Sequence, residues 1–146
     1  MRVRIMTEQD AGAVAALSGQ LGYPASAERI AARFRDMAGD VDAGVFVAVS
    51  PDGSLAGWIH VCGRRSLESD PHAEIAGLVI DAARRRQGIG RRLVDAAETW
   101  ARRHGYSYLK VRSNVTRDVA HEFYGGLGFT RIKSQHVYTR VVDAGR

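Results

Sequence analysis

A chain of 146 residues, 45% hydrophobic and 25% charged, has the size and composition of one soluble domain with a single core, and residues 1–146 are read as one domain. Its lone cysteine, Cys62, excludes an internal disulfide and a thiolate metal cluster, and no stretch approaches the apolar length of a leader or a membrane span, so a reducing, cytoplasmic setting is expected. A net charge of +5 and a pI near 9.9 suit a polyanionic ligand and suit nucleic acid equally well.

In chain order, Arg2 to Met6 reads as a first strand, and Thr7 with Asp10 three residues on forms a variant capping box that opens a helix. Val14, Leu17 and Leu21 supply the buried stripe of that helix, and Gly22 and Pro24 stop it. Ser26 caps a second helix carrying Ile30, Phe34 and Met37 on one face. Val45 to Val49 and Leu55 to Val61 flank Ser50-Pro51-Asp52-Gly53-Ser54, where proline presets one turn angle and Asp-Gly permits a positive φ, so the pair is a hairpin. Arg64 to His72 is a polar loop; His60 and His72 are candidate bases, since imidazole titrates near neutrality, and are read in preference as structural or solvated histidines.

The stretch from Glu74 to Ala101 organises the rest. Ile75 to Ile80 is a continuous apolar run, the pattern of a strand covered on both faces, and Asp81 ends it. Arg84, Arg85, Arg86, Gln87, Gly88, Ile89 and Gly90 follow, and then Leu93, Val94, Ala97, Trp100 and Ala101 recur as one face of a helix. Glycines at a helix entrance let backbone N–H groups point at an anion where the helix dipole already favours negative charge, which suits a pyrophosphate. The dinucleotide fingerprint is excluded because Leu93 stands where its third glycine belongs, and the Gly-Lys-Ser/Thr of a P-loop is absent. Beyond this helix, Tyr106 to Arg112 reads as a strand, Arg117 to Leu127 as a helix ended by Gly128, and Gln135 to Val142 alternates as a closing strand. The expected fold is α/β (α+β), a mixed and mostly antiparallel sheet of six to seven strands with helices on both faces.

Arg85-x-x-Gly88-x-Gly90 after a buried strand resembles the cofactor motif of the GNAT superfamily, the acetyl-CoA-dependent N-acetyltransferases. Asn114, Ala120, Phe123-Tyr124 and Leu127-Gly128-Phe129 resemble its second hallmark, a strand-end asparagine followed by a helix with an aromatic-tyrosine pair. The resemblance covers Val45 to Arg131 well and Arg2 to Gly39 by pattern only. Arg117 departs from the asparagine or acidic residue that many members carry, and the resulting form looks closer to the subgroup acting on small-molecule amines.

What this resemblance implies is acetyl transfer from acetyl-CoA to a primary amine, with no metal and no covalent enzyme nucleophile. Arg85, Arg86, Gln87, Gly88, Ile89, Gly90 and Arg91, with Arg84, would hold the coenzyme A phosphates; backbone groups of Leu78, Val79 and Ile80 would meet the pantetheine arm and the oxyanion. Glu74, 14 residues before Gly88, stands where some members place a general base, and is read either as that base or as an electrostatic contact for a cationic acceptor. Tyr124 matches the general acid for the leaving thiolate, since phenols near ~10 are protonated at neutral pH, and Asn114 would orient the pantetheine or Tyr124. Tyr23, Arg33 and Arg35 lie in the region that shapes acceptor pockets. Other readings stay open: an acetyltransferase for protein lysines or N-termini, or an acyl-CoA sensor without transfer. Nucleic-acid binding ranks low because no aromatics interleave the arginines. Gln135 to Val142 could pair across a homodimer.

Overall fold

The computed structural model describes residues 1–20, 22, 24–112 and 118–142. It divides into two compact units, Met1–Arg112 and Ser113–Arg146. The expected positions of Leu21, Tyr23, Asn114 and Arg117 lie outside the described residues.

The first unit is a five-stranded sheet in the order β1-β2-β3-β4-β5, formed by β1 (Arg2–Ile5), β2 (Ala43–Val49), β3 (Leu55–Arg64), β4 (His72–Ile80) and β5 (Leu109–Val111). The first three pairings are antiparallel and β4 pairs with β5 in parallel. Three helices accompany it: α1 (Ala11–Gly19), α2 (Ala27–Met37) and α3 (Ile89–Arg103). A parallel pair cannot be closed by a tight turn, so the chain needs a crossover, and α3 supplies it.

The sheet's two faces are covered unequally. On β3, Ile59 and Val61 are wholly buried and alternate with half-buried Trp58, His60 and Cys62. The Ile59 face lies under α3: a Cβ placed on Gly57 would come within 3.1 Å of Leu93 Cδ1, and Leu93 is itself fully buried. The Trp58 face lies under α1 and α2, where Trp58, Ile30 and Phe34 pack around Met6, Val14, Val47 and Val49. α3 buries Leu93, Val94, Ala97, Trp100 and Ala101 as a complete stripe, whereas no residue of α2 is fully buried.

Local signals account for the entries to these elements. Ser26 accepts from the Arg29 N–H and caps α2. Asp10 reaches back to the Thr7 N–H at 2.8 Å, the reciprocal half of a capping box, and closes a short 3-10 turn, Glu8–Asp10, ahead of α1. The same carboxylate takes a bidentate contact from Arg4, at 2.8 and 2.9 Å. The 50–54 hairpin is held by Ser50 N to Ser54 O and by Asp52 accepting from the Ser54 N–H.

Two expectations are corrected here. The strand read over Tyr106 to Arg112 is reduced to Leu109–Val111, because Tyr106 turns inward and donates to Asp42 at 2.7 Å, a hydrogen bond that raises the pKa of the phenol. No strand is assigned over Gln135 to Val142, so five strands stand among the described residues instead of six or seven. Val137, Tyr138 and Val141 there are more than 80% exposed; alternation marks two faces, but a strand also needs a neighbour to receive its backbone groups. In the second unit, α4 (Asp118–Gly126) ends where the Leu127 and Phe129 N–H groups both reach the Tyr124 carbonyl. No helix among the described residues is long and apolar enough to cross a membrane.

The Arg4 guanidinium holds the Asp10 carboxyl below the usual carboxylate range, chiefly by its hydrogen bonds, with the Thr7 N–H adding to it. A depressed folded-state pKa stabilises the fold above the unfolded carboxylate value near ~4, and that contribution disappears as pH falls through the folded value. Asp10→Asn is expected to cost about 1–3 kcal/mol at pH 7 and to flatten the acid limb of stability against pH, as measured by urea unfolding between pH 3 and pH 7.

Candidate active site

The site begins where β4 leaves β5. Parallel pairing covers Ala73, Glu74 and Ile75 opposite Leu109, Lys110 and Val111, whereas on its other edge β4 stays paired with β3 as far as Ile80 opposite Gly57. Among the described residues, the β5-side edge of residues 76–80 therefore has no strand neighbour. The register against β3 shifts at the same point: His60 faces Gly77 and Val61 faces Ile75, so Ala76 is an extra, exposed residue. A strand zipped on one side and open on the other presents backbone donors and acceptors that are already oriented. Leu78, Val79 and Ile80, expected to make backbone contacts, lie on this open edge.

The turn after β4 is fixed at its first half. The Asp81 N–H donates to Ala56 O at 2.9 Å, and the Asp81 side chain accepts from the Ala83 N–H at 3.1 Å. Gln20, from the end of α1, accepts from the Ala82 N–H at 2.9 Å and donates to Asp81. Arg84, expected to meet phosphates, is instead drawn back to Ser50 and Ser54 of the hairpin and to Asp81 at 3.5 Å. Hydroxyls and a carboxylate within reach outcompete solvent for a guanidinium. Its role is to anchor the turn.

The second half is open. Arg85, Arg86, Gln87 and Gly88 are exposed, Ile89 and Gly90 are buried, and Arg91 is exposed in the first turn of α3. Arg86 and Gly88 adopt φ of 64° and 77°, the left-handed region. No acidic residue occupies the first turn of the fifteen-residue α3 and Arg102 and Arg103 occupy its last, so the dipole's positive end faces the turn with no carboxylate on that turn to quench it.

Glu74 is the third residue of β4 and is 6% exposed. Its Oε2 lies 3.3 Å from Arg64 Nε and its Oε1 lies 3.3 Å from Arg112 Nε. The carboxylate is thus shared between two largely exposed guanidiniums. His72 is buried with Nδ1 against the Asp70 carbonyl at 3.1 Å, and Arg35 pairs with Glu8 at 3.0 Å, so both serve local structure. His60 is different: its Nε2 is buried and has no hydrogen-bond partner, as is Nε1 of Trp58. Burial pushes the His60 imidazole below its ordinary range, and the Arg64 charge adds to this. Burial raises the Cys62 thiol, so it is held as the neutral thiol. In the sequence, Trp58 is marked only by the alternation along β3.

In the second unit, half-buried Tyr124 makes edge-on ring contacts with Phe123 and Phe129, with centroids 5.1 and 5.7 Å apart. The aromatic pair and the Leu127-Gly128-Phe129 ending are therefore one local packing unit, closed by Gly128 at φ 89°.

The Acetyltransferase (GNAT) family profile matches residues 13–129, and this chain belongs to that family. An uncharacterised N-acetyltransferase of Bacillus subtilis, YhdJ, is 39% identical over 74 residues, covering 48% of this chain and 52% of that protein. An aminoglycoside N(6')-acetyltransferase type 1 of Klebsiella aerogenes is 32% identical over 93 residues, 62% of this chain and 61% of that one. The matches thus span between half and two thirds of these relatives. The fold is also that of the aminoglycoside 6'-N-acetyltransferase AAC(6')-IG from Acinetobacter haemolyticus, at TM-score 0.84, 18% identity and coverage of 98% and 100%. AAC(6')-Iy, solved with the bisubstrate analog CoA-S-monomethyl-acetylneamine, superposes at TM-score 0.85, with 17% identity and coverage of 97% and 98%.

Gly88 has open space around the position of a Cβ, but its backbone is left-handed. Gly88→Ala is therefore expected to cost about 1–2 kcal/mol through backbone strain alone, read as a lower urea midpoint with an unchanged m-value.

Proposed function

We propose that residues 1–146 form one N-acetyltransferase domain that moves an acetyl group from acetyl-CoA to the primary amine of a small molecule. The observation that carries this reading is the one-sided pairing of β4: its open edge over residues 76–80 runs straight into the left-handed turn at the start of α3. The extended pantetheine amides would add to that edge as a strand does, and the exposed backbone around Gly88, with Arg85, Arg86, Gln87 and Arg91 around it, would take the phosphates. The residues present fit an extended amide with a pyrophosphate at one end. Ile89 and Gly90 would set the helix start that aims those N–H groups.

In this reading acetyl-CoA supplies the activated acyl group, and the chain orients it and handles charge. Backbone N–H groups of Leu78 to Ile80 would stabilise the oxygen that gains negative charge, without reorganising as it does so. Glu74, held in place by Arg64 and Arg112, would draw the cationic acceptor to this end of β4 and serve as its base or its electrostatic partner. Tyr124 would give its phenolic proton to the departing sulfur, with Asn114 orienting it or the pantetheine. That the relatives include aminoglycoside N-acetyltransferases supports a small-molecule amine as acceptor. The lone Cys62 supports a reducing, cytoplasmic location, and the family resemblance supports a homodimer.

Calorimetric titration of acetyl-CoA into the wild type and Gly88→Val, followed by thiol release across a panel of amines, tests the reading. Binding lost in Gly88→Val together with amine-dependent thiol release is the expected result. Binding without release for any small amine would move the reading to a protein acceptor or a sensor, and no binding would overturn it. Tyr124→Phe is expected to lower kcat by about 100-fold or more while leaving the acetyl-CoA Kd unchanged; an unaltered kcat would remove Tyr124 from the chemistry.

A further inference from the structure

Two side-chain nitrogens among the described residues are buried without a hydrogen-bond partner, and they sit on one strand: Trp58 Nε1 and His60 Nε2 of β3. Residues i and i+2 of a strand share a face, roughly 7 Å apart along the chain. Theirs is the half-covered face under α1 and α2, and not the fully covered face under α3. A buried polar group left without a partner forfeits its bonds to water with nothing in return, so two neighbours in that state mark a place where something else completes the bonding.

Their position says what that place adjoins. His60 lies opposite Gly77, immediately beside the extra residue Ala76, where β4 parts from β5. The Trp58 ring reaches across the neighbouring strand to the same spot, since a Cβ on Gly77 would fall 2.8 Å from two of its ring carbons. Only a residue without a side chain at 77 lets the indole lie there. The benzo edge of Trp58 lies over Gly77 and His60 stands opposite it, so both side chains border β4 just beyond the point where its pairing with β5 ends.

We propose that Trp58 and His60 are the acceptor-recognition pair of this protein, selecting a small primary amine that carries a hydroxyl close to its nitrogen. The inference rests on the acetyltransferase reading and adds its specificity. Indole N–H is a donor only, and a neutral imidazole with its proton on Nδ1 offers Nε2 as an acceptor; a hydroxyl is the small group that accepts from one and donates to the other. The lowered imidazole pKa keeps the ring neutral at pH 7 and agrees with that role. An alkylamine of the same length leaves both nitrogens unpaired, and sites built to bond a hydroxyl reject analogues that lack it.

The test compares 2-aminoethanol with n-propylamine as acceptors in the wild type, Trp58→Phe and His60→Leu, each saturated with acetyl-CoA. The wild type is expected to favour 2-aminoethanol by at least about 10-fold in kcat/KM, mostly through KM. Both variants should bring the ratio to within about threefold with an unchanged acetyl-CoA Kd. As a readout independent of turnover, the Trp58 indole N–H resonance, identified by its loss in Trp58→Phe, should shift with 2-aminoethanol and not with n-propylamine in the CoA-bound wild type. Equal use of both amines, a preference kept in both variants, or an unmoved indole resonance would overturn the assignment, the last pointing to an internal water as the partner. Turnover without preference defeats this inference alone; acetyl-CoA binding with no turnover of any amine defeats the transferase reading and this inference with it.

Discussion

The structure depends on one asymmetry in backbone hydrogen bonding. β4 is paired along its whole length to β3 and along only three residues to β5. A strand with both edges zipped has nothing left to offer, and one with both edges open does not stay extended. The half-zipped strand is held extended by β3 and, among the described residues, has no strand neighbour on its other edge over residues 76–80. It is also held at the far end, where Asp81, Gln20 and Arg84 tie the turn to β3, to α1 and to the 50–54 hairpin. Between that anchor and the buried start of α3, the backbone is left-handed at Arg86 and Gly88.

Electrostatics follow the same division. Positive charge gathers at the turn end of β4, where the helix dipole adds to it, and a carboxylate stands buried at the opposite end. Removing a carboxylate from water is costly, and Arg64 and Arg112 offset that while remaining largely exposed themselves.

The two faces of the sheet divide labour by how they are packed. The α3 face is filled by fully buried aliphatic side chains and has little room for chemistry. The opposite face carries Trp58, His60, Cys62 and Glu74, of which the first three are only partly buried. Polar groups persist on a face where a ligand or solvent can complete their bonding.

The sequence by itself determined the local matters: the hairpin turn at Pro51-Asp52-Gly53, the caps at Thr7 and Ser26, the continuous apolar run of β4, and the glycine-marked entrance of α3. Each is decided by residues within a few positions of one another, through φ preferences, capping donors and periodicity, and so each was legible. Periodicity misled at Gln135 to Val142, because alternation describes the faces of a segment and says nothing of a neighbour. The distant pairings were decided by the tertiary structure: Arg84 held by serines of a hairpin more than 29 residues earlier, Glu74 shared between Arg64 and Arg112, and Trp58 lying across Gly77. Their cause is strand register, and a shift of one residue would exchange the two faces of the sheet. Where β4 parts from β5 belongs to that same class, since the apolar run continues unbroken through Ile75 and the sequence carries no mark of the place.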